Sequence, residues 1–291
     1  MDREALRQRA TLLTSVRRWF SDHAYLEVPT PVVVPSPALE ASLMALEVKG
    51  ADRRGERRFL RTSPELALKP VLAAGLPRIV ELGPCFRAEE RGDWHRTEFW
   101  MCEWYRAGAT LPDLMDEVED LIATVARDLG VSQPGPWRRV SVRDLFREST
   151  GIELSTASAG DLSDHGEDWD TGFFRRWVDE VEPALSEPTF VEAWPASQAA
   201  LATVRTDQEW AFAERFEVFL GGVELANAFQ ELRDAQVLRQ RWAASNHPVD
   251  ERFLAAVGRM PRSAGIALGL DRLLAVLCGW PGIRRGRVER D

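Results

Sequence analysis

Apolar positions recur with helical spacing at the start of the chain, where Leu6, Ala10, Leu13, Val16 and Phe20 fall on one side of a helix over residues 3–21. The next stretch, YLEVPTPVVVPSP, favours extended backbone, because proline removes a donor and restricts the residue before it. Residues 42–48 and 57–61 alternate like strands joined by the charged turn Lys49–Glu56. Ser63-Pro64-Glu65 has the form of a helix start, with Ser63 as N-cap, Pro64 at the first helical position and Glu65 in the first turn. That helix is expected to reach about Leu72, with Pro70 as a point of kinking.

From Cys85 to Arg106, CFRAEERGDWHRTEFWMCEWYR, two aromatic-rich runs flank a loop carrying Arg87, Glu89, Glu90, Arg91, Asp93, His95 and Arg96. Two strands and a polar loop are predicted. Strand alternation puts Phe99, Met101, Glu103 and Tyr105 on one face, and Trp100, Cys102 and Trp104 on the other as core. A helix from Thr110 or Pro112 carries Leu114, Val118, Leu121, Ile122 and Val125 and stops at Gly130. Residues 131–186 are weakly periodic and read as a helical insertion between two halves of a sheet. Strand character returns at Thr189–Trp194. Phe216–Leu220 and Val223–Phe229 then flank Gly221-Gly222, a hairpin signal. Leu232–Trp242 reads as a helix, and Ile266–Leu268 as a strand running through Gly269 into a short apolar helix.

With 291 residues, 45% hydrophobic and 29% charged, the chain suits a soluble globular protein with a core of good size. No apolar run reaches the length of a membrane span, and MDREALRQRA is no signal peptide. Cys85, Cys102 and Cys278 lack metal-ligand spacing and read as buried and reduced, which fits a cytoplasmic enzyme. The net charge of −9, without a basic stripe, disfavours extensive nucleic-acid binding.

Four features carry chemistry. Glu103 sits between Phe99, Met101 and Tyr105; it is either solvated or meets a cation, and the nearby loop charges favour the cation. Glu217 and Glu224 flank the hairpin turn on facing strands. They are either unrelated surface groups or a repelling pair that wants a divalent cation or an arginine. Glu224, Asn227 and Glu231, three and four apart, do not share one face of a regular strand, so a bulge near Ala226 or Asn227 is expected. Arg272, in the first turn of a helix, opposes the dipole and is either salt-bridged or meets an anion such as phosphate. Neither GxxxxGK[ST] nor GxGxxG occurs, and no serine or cysteine has a nucleophile's setting.

Taken together, these stretches resemble a class II aminoacyl-tRNA synthetase catalytic domain of the lysyl type over about residues 8–280. The helix followed by the Pro31 strand is similar to motif 1, FRAEE…HRTEFWMCEWY to motif 2 and GIALGLDR to motif 3. The resemblance implies an α+β fold, an antiparallel sheet flanked by helices, and a homodimer through motif 1. It begins at the motif 1 helix, so no anticodon-binding OB domain is expected. It implies ATP and Mg²⁺, with Arg87 on the α-phosphate and Arg272 on the γ-phosphate as the catalytic arginines. Ala88, Glu89, His95 and Arg96 would line the nucleotide, with Phe99 stacking on adenine and Leu225 and Gly269 beside it. Glu217 and Glu224 match the metal ligands. Ser63, Pro64, Glu65, Glu103, Tyr105, Asn227 and Glu231 match positions around the lysine substrate.

Thr62-Ser63-Pro64-Glu65, Pro195-Ala196-Ser197-Gln198-Ala199, GVELANAFQEL and Ala267 are similar to a shorter branch, the elongation factor P–lysine ligases. Alanine at the position of Ala267, where the synthetases usually carry glycine, is associated there with (R)-β-lysine. The expected reaction is ATP-dependent activation of lysine or β-lysine and transfer to a lysine side chain of elongation factor P. Two other readings are a ligase with a different acceptor (carrier protein, tRNA or small molecule) and a non-catalytic paralogue. Arg96-Thr97 stands where Asn-Pro is usual, Ala228 where glycine is, and Gln230 where histidine is.

Overall fold

The computed structural model describes residues 2–37, 43–50, 55–88, 92–163, 166–207, 210–243 and 247–288. In chain order, α1 (Arg3–Asp22) leads to the short strands β1 (Leu26–Glu27), β2 (Val33–Val34) and β3 (Phe59–Leu60). Then come α2 (Glu65–Ala73), β4 (Arg78–Phe86), β5 (Glu98–Ala107) and α3 (Leu111–Leu129). The middle of the chain holds β6 (Arg138–Ser141), α4 (Val142–Thr150), α5 (Ala159–Leu162), α6 (Trp169–Arg176) and β7 (Thr189–Pro195). The last part holds β8 (Val204–Asp207), β9 (Trp210–Leu220), β10 (Val223–Gln230), α7 (Ala235–Ala243), α8 (Glu251–Val257), β11 (Ser263–Gly269) and α9 (Leu270–Leu277).

Among the described residues nine strands form one sheet in the order β1-β4-β5-β11-β10-β9-β7-β6, with β8 also paired to β9. The centre is antiparallel as expected, but both edges are parallel: β1 on β4 and β6 on β7. The helical expectation for 131–186 therefore missed β6, whose four residues are too few for period-two alternation to stand out. The helices of this stretch bury Phe146, Phe173 and Trp177 against Trp194 and Phe219 of the sheet.

One face of the sheet is covered by α1, α3 and α9. Leu12, Val16, Trp19 and Phe20 meet Cys102 and Trp104 of β5 there, together with the apolar stripe of α3. The face of α1 is rotated from that expected: Ala5, Leu12 and Trp19 are buried, Leu6 and Leu13 only half-buried, and Ala10 exposed. Thr110 and Asp113 close a capping box at the start of α3, and Gly130 ends it at φ 70°, a left-handed conformation that glycine adopts without strain. Within this core Glu117 accepts from Tyr25, Trp104 and Arg106, so its carboxylate is satisfied.

The strand expected at 42–48 is a single bridge, Glu47 to Phe59, in the described residues; residue 42 and turn residues 51–54 lie outside them. The helix expected over Leu232–Trp242 starts at Ala235 rather than Leu232, because Leu232 still donates its N–H to Leu201 as the chain leaves β10. Cys85 and Cys102 are buried, and Cys278 is half-buried rather than buried.

Candidate active site

The open face of the sheet floors a cavity of about 370 Å³. Strand register lays its residues out in rows. Glu103 of β5 lies opposite Ala267 of β11, Ala267 opposite Asn227 of β10, and Asn227 opposite Glu217 of β9. The next row is Tyr105, Gly265, Phe229 and Arg215. Period-two alternation thus delivers Phe99, Met101, Glu103 and Tyr105 to the cavity and Cys102 and Trp104 to the core, as the sequence predicts, whereas Trp100, expected in the core, is half-buried against it and also lines the cavity.

The hairpin carries the expected irregularity, one residue earlier than predicted. A bulge between Glu224 and Ala226, at Leu225, shifts the register so that Glu224 and Asn227 both reach the cavity. Asn227, Phe229 and Glu231 then follow at period two. The bulge also leaves the Glu224 carbonyl to accept from Arg272 Nη1 at 2.9 Å.

One end of the cavity is acidic and closed. Glu103 is 2% exposed; Ser63 Oγ donates to it at 2.7 Å and Tyr105 Oη at 2.5 Å. Burial, with Glu65 nearby, pushes its carboxyl up to about 8 against the pull of those hydroxyls. Glu65 and Ser63 enter from the start of α2, where Ser63 Oγ also accepts from the Glu65 N–H at 3.1 Å, while Pro64 occupies the cap position and does not line the cavity. Glu231 is buried beside them, its carboxyl pushed up to about 7 by burial. Gly265 is what leaves room: a Cβ there would lie 2.3 Å from the Tyr105 ring and 2.6 Å from Glu231 Oε1.

The other end is basic. Arg87 sits over the Phe99 ring, 5.1 Å from its centroid, and its N–H donates to the Thr97 carbonyl. Arg272 donates to the Trp94 carbonyl and to His95 Nε2 at 2.7 Å, with Glu224 Oε2 at 3.5 Å. It therefore meets backbone and carboxylate acceptors as well as facing the cavity. His95, Arg96, Leu225, Ala267 and Gly269 line the cavity; Ala88 does not, its N–H being held by the Met44 carbonyl. Glu89 lies outside the described residues.

Glu217 sits behind the cavity wall. Its carboxyl is pushed up to about 8 by burial, Arg215 countering and Glu224 adding to the rise. The sequence left a cation or an arginine between Glu217 and Glu224; Arg215 pairs with the first and Arg272 with the second. Among the described residues no group of three or more His, Cys, Asp or Glu side chains is placed to hold a metal ion. The half-buried Glu182, raised by burial and by Glu224, adds a further carboxylate to this region.

Three side chains escaped sequence reasoning. Arg215 donates to Asn227 Oδ1 at 3.0 Å and stacks on Trp194, which leaves the Asn227 Nδ2 donor for the cavity. Its position two residues from Glu217, on the same strand face, was the available signal. Lys69 lies one helical turn from Glu65 and pairs with it. Asp271, inside the motif that drew attention to Arg272, accepts from the Trp100 N–H at 2.7 Å. Ala228 and Gln230 depart from the usual residues on the far face of β10: Ala228 belongs to the core, and Gln230 donates to the Ser263 carbonyl at 2.7 Å.

Burial pushes the Cys85 thiol up to about 12 and raises Cys102 as well, so neither is poised as a thiolate. No helix among the described residues is long and apolar enough to cross a membrane.

A family model for class II tRNA synthetases (D, K and N) matches residues 2–287, and the chain belongs to that family. It is similar to an elongation factor P–(R)-β-lysine ligase of Edwardsiella ictaluri (strain 93-146), 40% identical over 292 residues, covering 92% of this chain and 89% of the relative. A protein of the same description from Proteus mirabilis (strain HI4320) is 37% identical over 298 residues, covering 94% and 91%.

Proposed function

We propose that this class II synthetase family member activates lysine, in the (R)-β form, with ATP and transfers it to a lysine side chain of elongation factor P. One observation carries the reading: the cavity has a closed acidic end, Glu65, Glu103 and Glu231, and an open basic end, Arg87 and Arg272. An amino acid with a cationic side chain or second amine fits with its ammonium at the first end and its carboxylate toward a phosphate at the second.

In this reading, Asn227 Nδ2 receives the carboxylate and Arg87 the α-phosphate, with Ser63 and Tyr105 bracing Glu103 for the ammonium. Phe99 provides the ring for adenine, and Arg272 with His95 receives the terminal phosphate. A carboxylate oxygen attacks the α-phosphorus, the bond to pyrophosphate breaks, and an aminoacyl-adenylate forms. The acceptor amine then attacks its carbonyl, AMP leaves, and the amine's extra proton passes to solvent. The protein supplies placement and charge neutralisation, with no covalent intermediate on its own side chains.

Glu224 on the cavity wall and Glu217 just behind it are hard oxygen donors, the latter raised by burial with Glu224 adding to the rise, and such donors would hold Mg²⁺ once Glu217 turned from Arg215. The ion, when bound, neutralises phosphate charge. Ala267, between Glu103 and Asn227 in its row, puts a methyl group on the floor where the α-carbon of the substrate would pass and supports the β-isomer. Exposed Leu26 and Val33, in the stretch after α1, support pairing with a second copy. The buried neutral thiols agree with a cytoplasmic setting.

The test is amino-acid-dependent ATP–pyrophosphate exchange with (R)-β-lysine, (S)-α-lysine and the other standard amino acids, followed by transfer to elongation factor P. Exchange with β-lysine and labelling of elongation factor P are expected. Exchange with a different amino acid overturns the substrate, and exchange without labelling overturns the acceptor.

A further inference from the structure

A lysine stands behind the acidic end of the cavity without lining it. Lys69, on α2, is 2% exposed, with Nζ 2.8 Å from Glu231 Oε2 and 3.2 Å from Glu65 Oε2. The ammonium lies over the Tyr105 ring, 5.7 Å from its centroid. Burial works against its charge, but Glu231 and Glu65 outweigh burial and hold the amine above its ordinary pKa. Both Glu65 and Glu231 line the cavity, and Glu231 Oε1 is buried without a hydrogen-bond partner among the described residues.

A buried carboxylate with no cation takes up a proton, and a neutral acid holds an ammonium ligand far less well. Fold stability alone gives no reason for the lysine, since a buried ion pair roughly breaks even with apolar side chains of similar volume. Ionised, Glu65, Glu103, Glu231 and Lys69 together leave an excess of negative charge facing the cavity, which a substrate ammonium offsets.

We propose that Lys69 is a positioning residue of the amino-acid pocket: from behind the wall its ammonium pins Glu65 and Glu231 and turns their remaining oxygens toward the ammonium of the substrate. The inference rests on the functional reading above. Lys69 touches neither substrate nor nucleotide; it acts through the two carboxylates.

Lys69→Met keeps length and removes charge. In ATP–pyrophosphate exchange on the full chain, its KM for the preferred lysine isomer is expected to rise at least about tenfold, the scale of breaking one buried charge pair, with the KM for ATP within about twofold. In a Glu231→Gln background the same substitution is expected to add clearly less than it does in the wild type, because its closer partner is already gone and only Glu65 remains for it to hold. The double variant removes both partners of the closest pair, so it carries the comparison with Glu231→Gln if Lys69→Met alone does not fold. An unchanged amino-acid KM, fully additive losses, or equal rises in both KM values overturn the role of Lys69 alone. Wild-type protein that exchanges with no lysine isomer overturns the functional reading and this inference with it.

Discussion

Asp271 and Arg9, 262 positions apart in the chain, meet in an ion pair that joins α9 to α1. The other Asp271 oxygen accepts from the Trp100 N–H of β5, and the Arg9 guanidinium lies over the Trp100 ring at 5.6 Å. The carboxylate is 3% exposed and is followed directly by Arg272, so the N-terminal helix helps to aim the arginine of the basic end. Asp271→Asn leaves Arg9 unpaired. Thermal melts should show a loss of about 3–5 kcal/mol, and exchange assays a higher KM for ATP with the amino-acid KM little changed.

Arg87 lies over the Phe99 platform, 5.1 Å from the ring centroid. Arg87→Ala should lower adenylate formation by about two to three orders of magnitude, the usual cost of losing one oriented transition-state contact. Single-turnover exchange measures this directly, and activity near wild type would remove Arg87 from the chemistry.

Gly265 tests the packing of the acidic end. Gly265→Ala puts a methyl group into the space of the Tyr105 ring and Glu231, both buried, so neither can move without disturbing the pocket. A rise of about ten- to a hundredfold in amino-acid KM is expected, with the ATP KM held, since overpacking of about 1–3 kcal/mol falls on that end alone.

Glu103 gives the pH dependence. Its folded-state pKa of about 8 lies above the ordinary 4.5, so between those values the folded chain holds a proton that the unfolded chain has lost. Its contribution to stability therefore falls as pH rises through that window. Glu103→Gln should raise Tm more at pH 8.5 than at pH 5, by about 2–4 °C for each kcal/mol, while weakening amino-acid binding at both. In the wild type, an ammonium ligand needs the ionised carboxylate, so KM for the amino acid should fall from pH 6.5 to 8.5. A flat profile would dissociate Glu103 from the ligand.

Much of this site was legible because its signals are local. Alternation placed Phe99, Glu103 and Tyr105 on one face, and the spacing of Glu224 and Asn227 required a bulge, found at Leu225. Capping residues marked α3, and Gly221-Gly222 marked the hairpin. The buried face of α1 was less legible, since a helix with apolar residues on several sides is turned by what it packs against.

The sequence by itself determined the central strands, the long helices and which residues of β5 share a face, because backbone periodicity and turn chemistry act over a few residues. Only the tertiary structure decided which strands lie side by side and therefore which residues form a row. Pairing Glu103 with Ala267 and Ala267 with Asn227 depends on register between strands far apart in the chain. The partners of Lys69, Arg215 and Asp271 likewise follow from burial: a charge withdrawn from water must find its opposite, and the fold determines where that opposite stands.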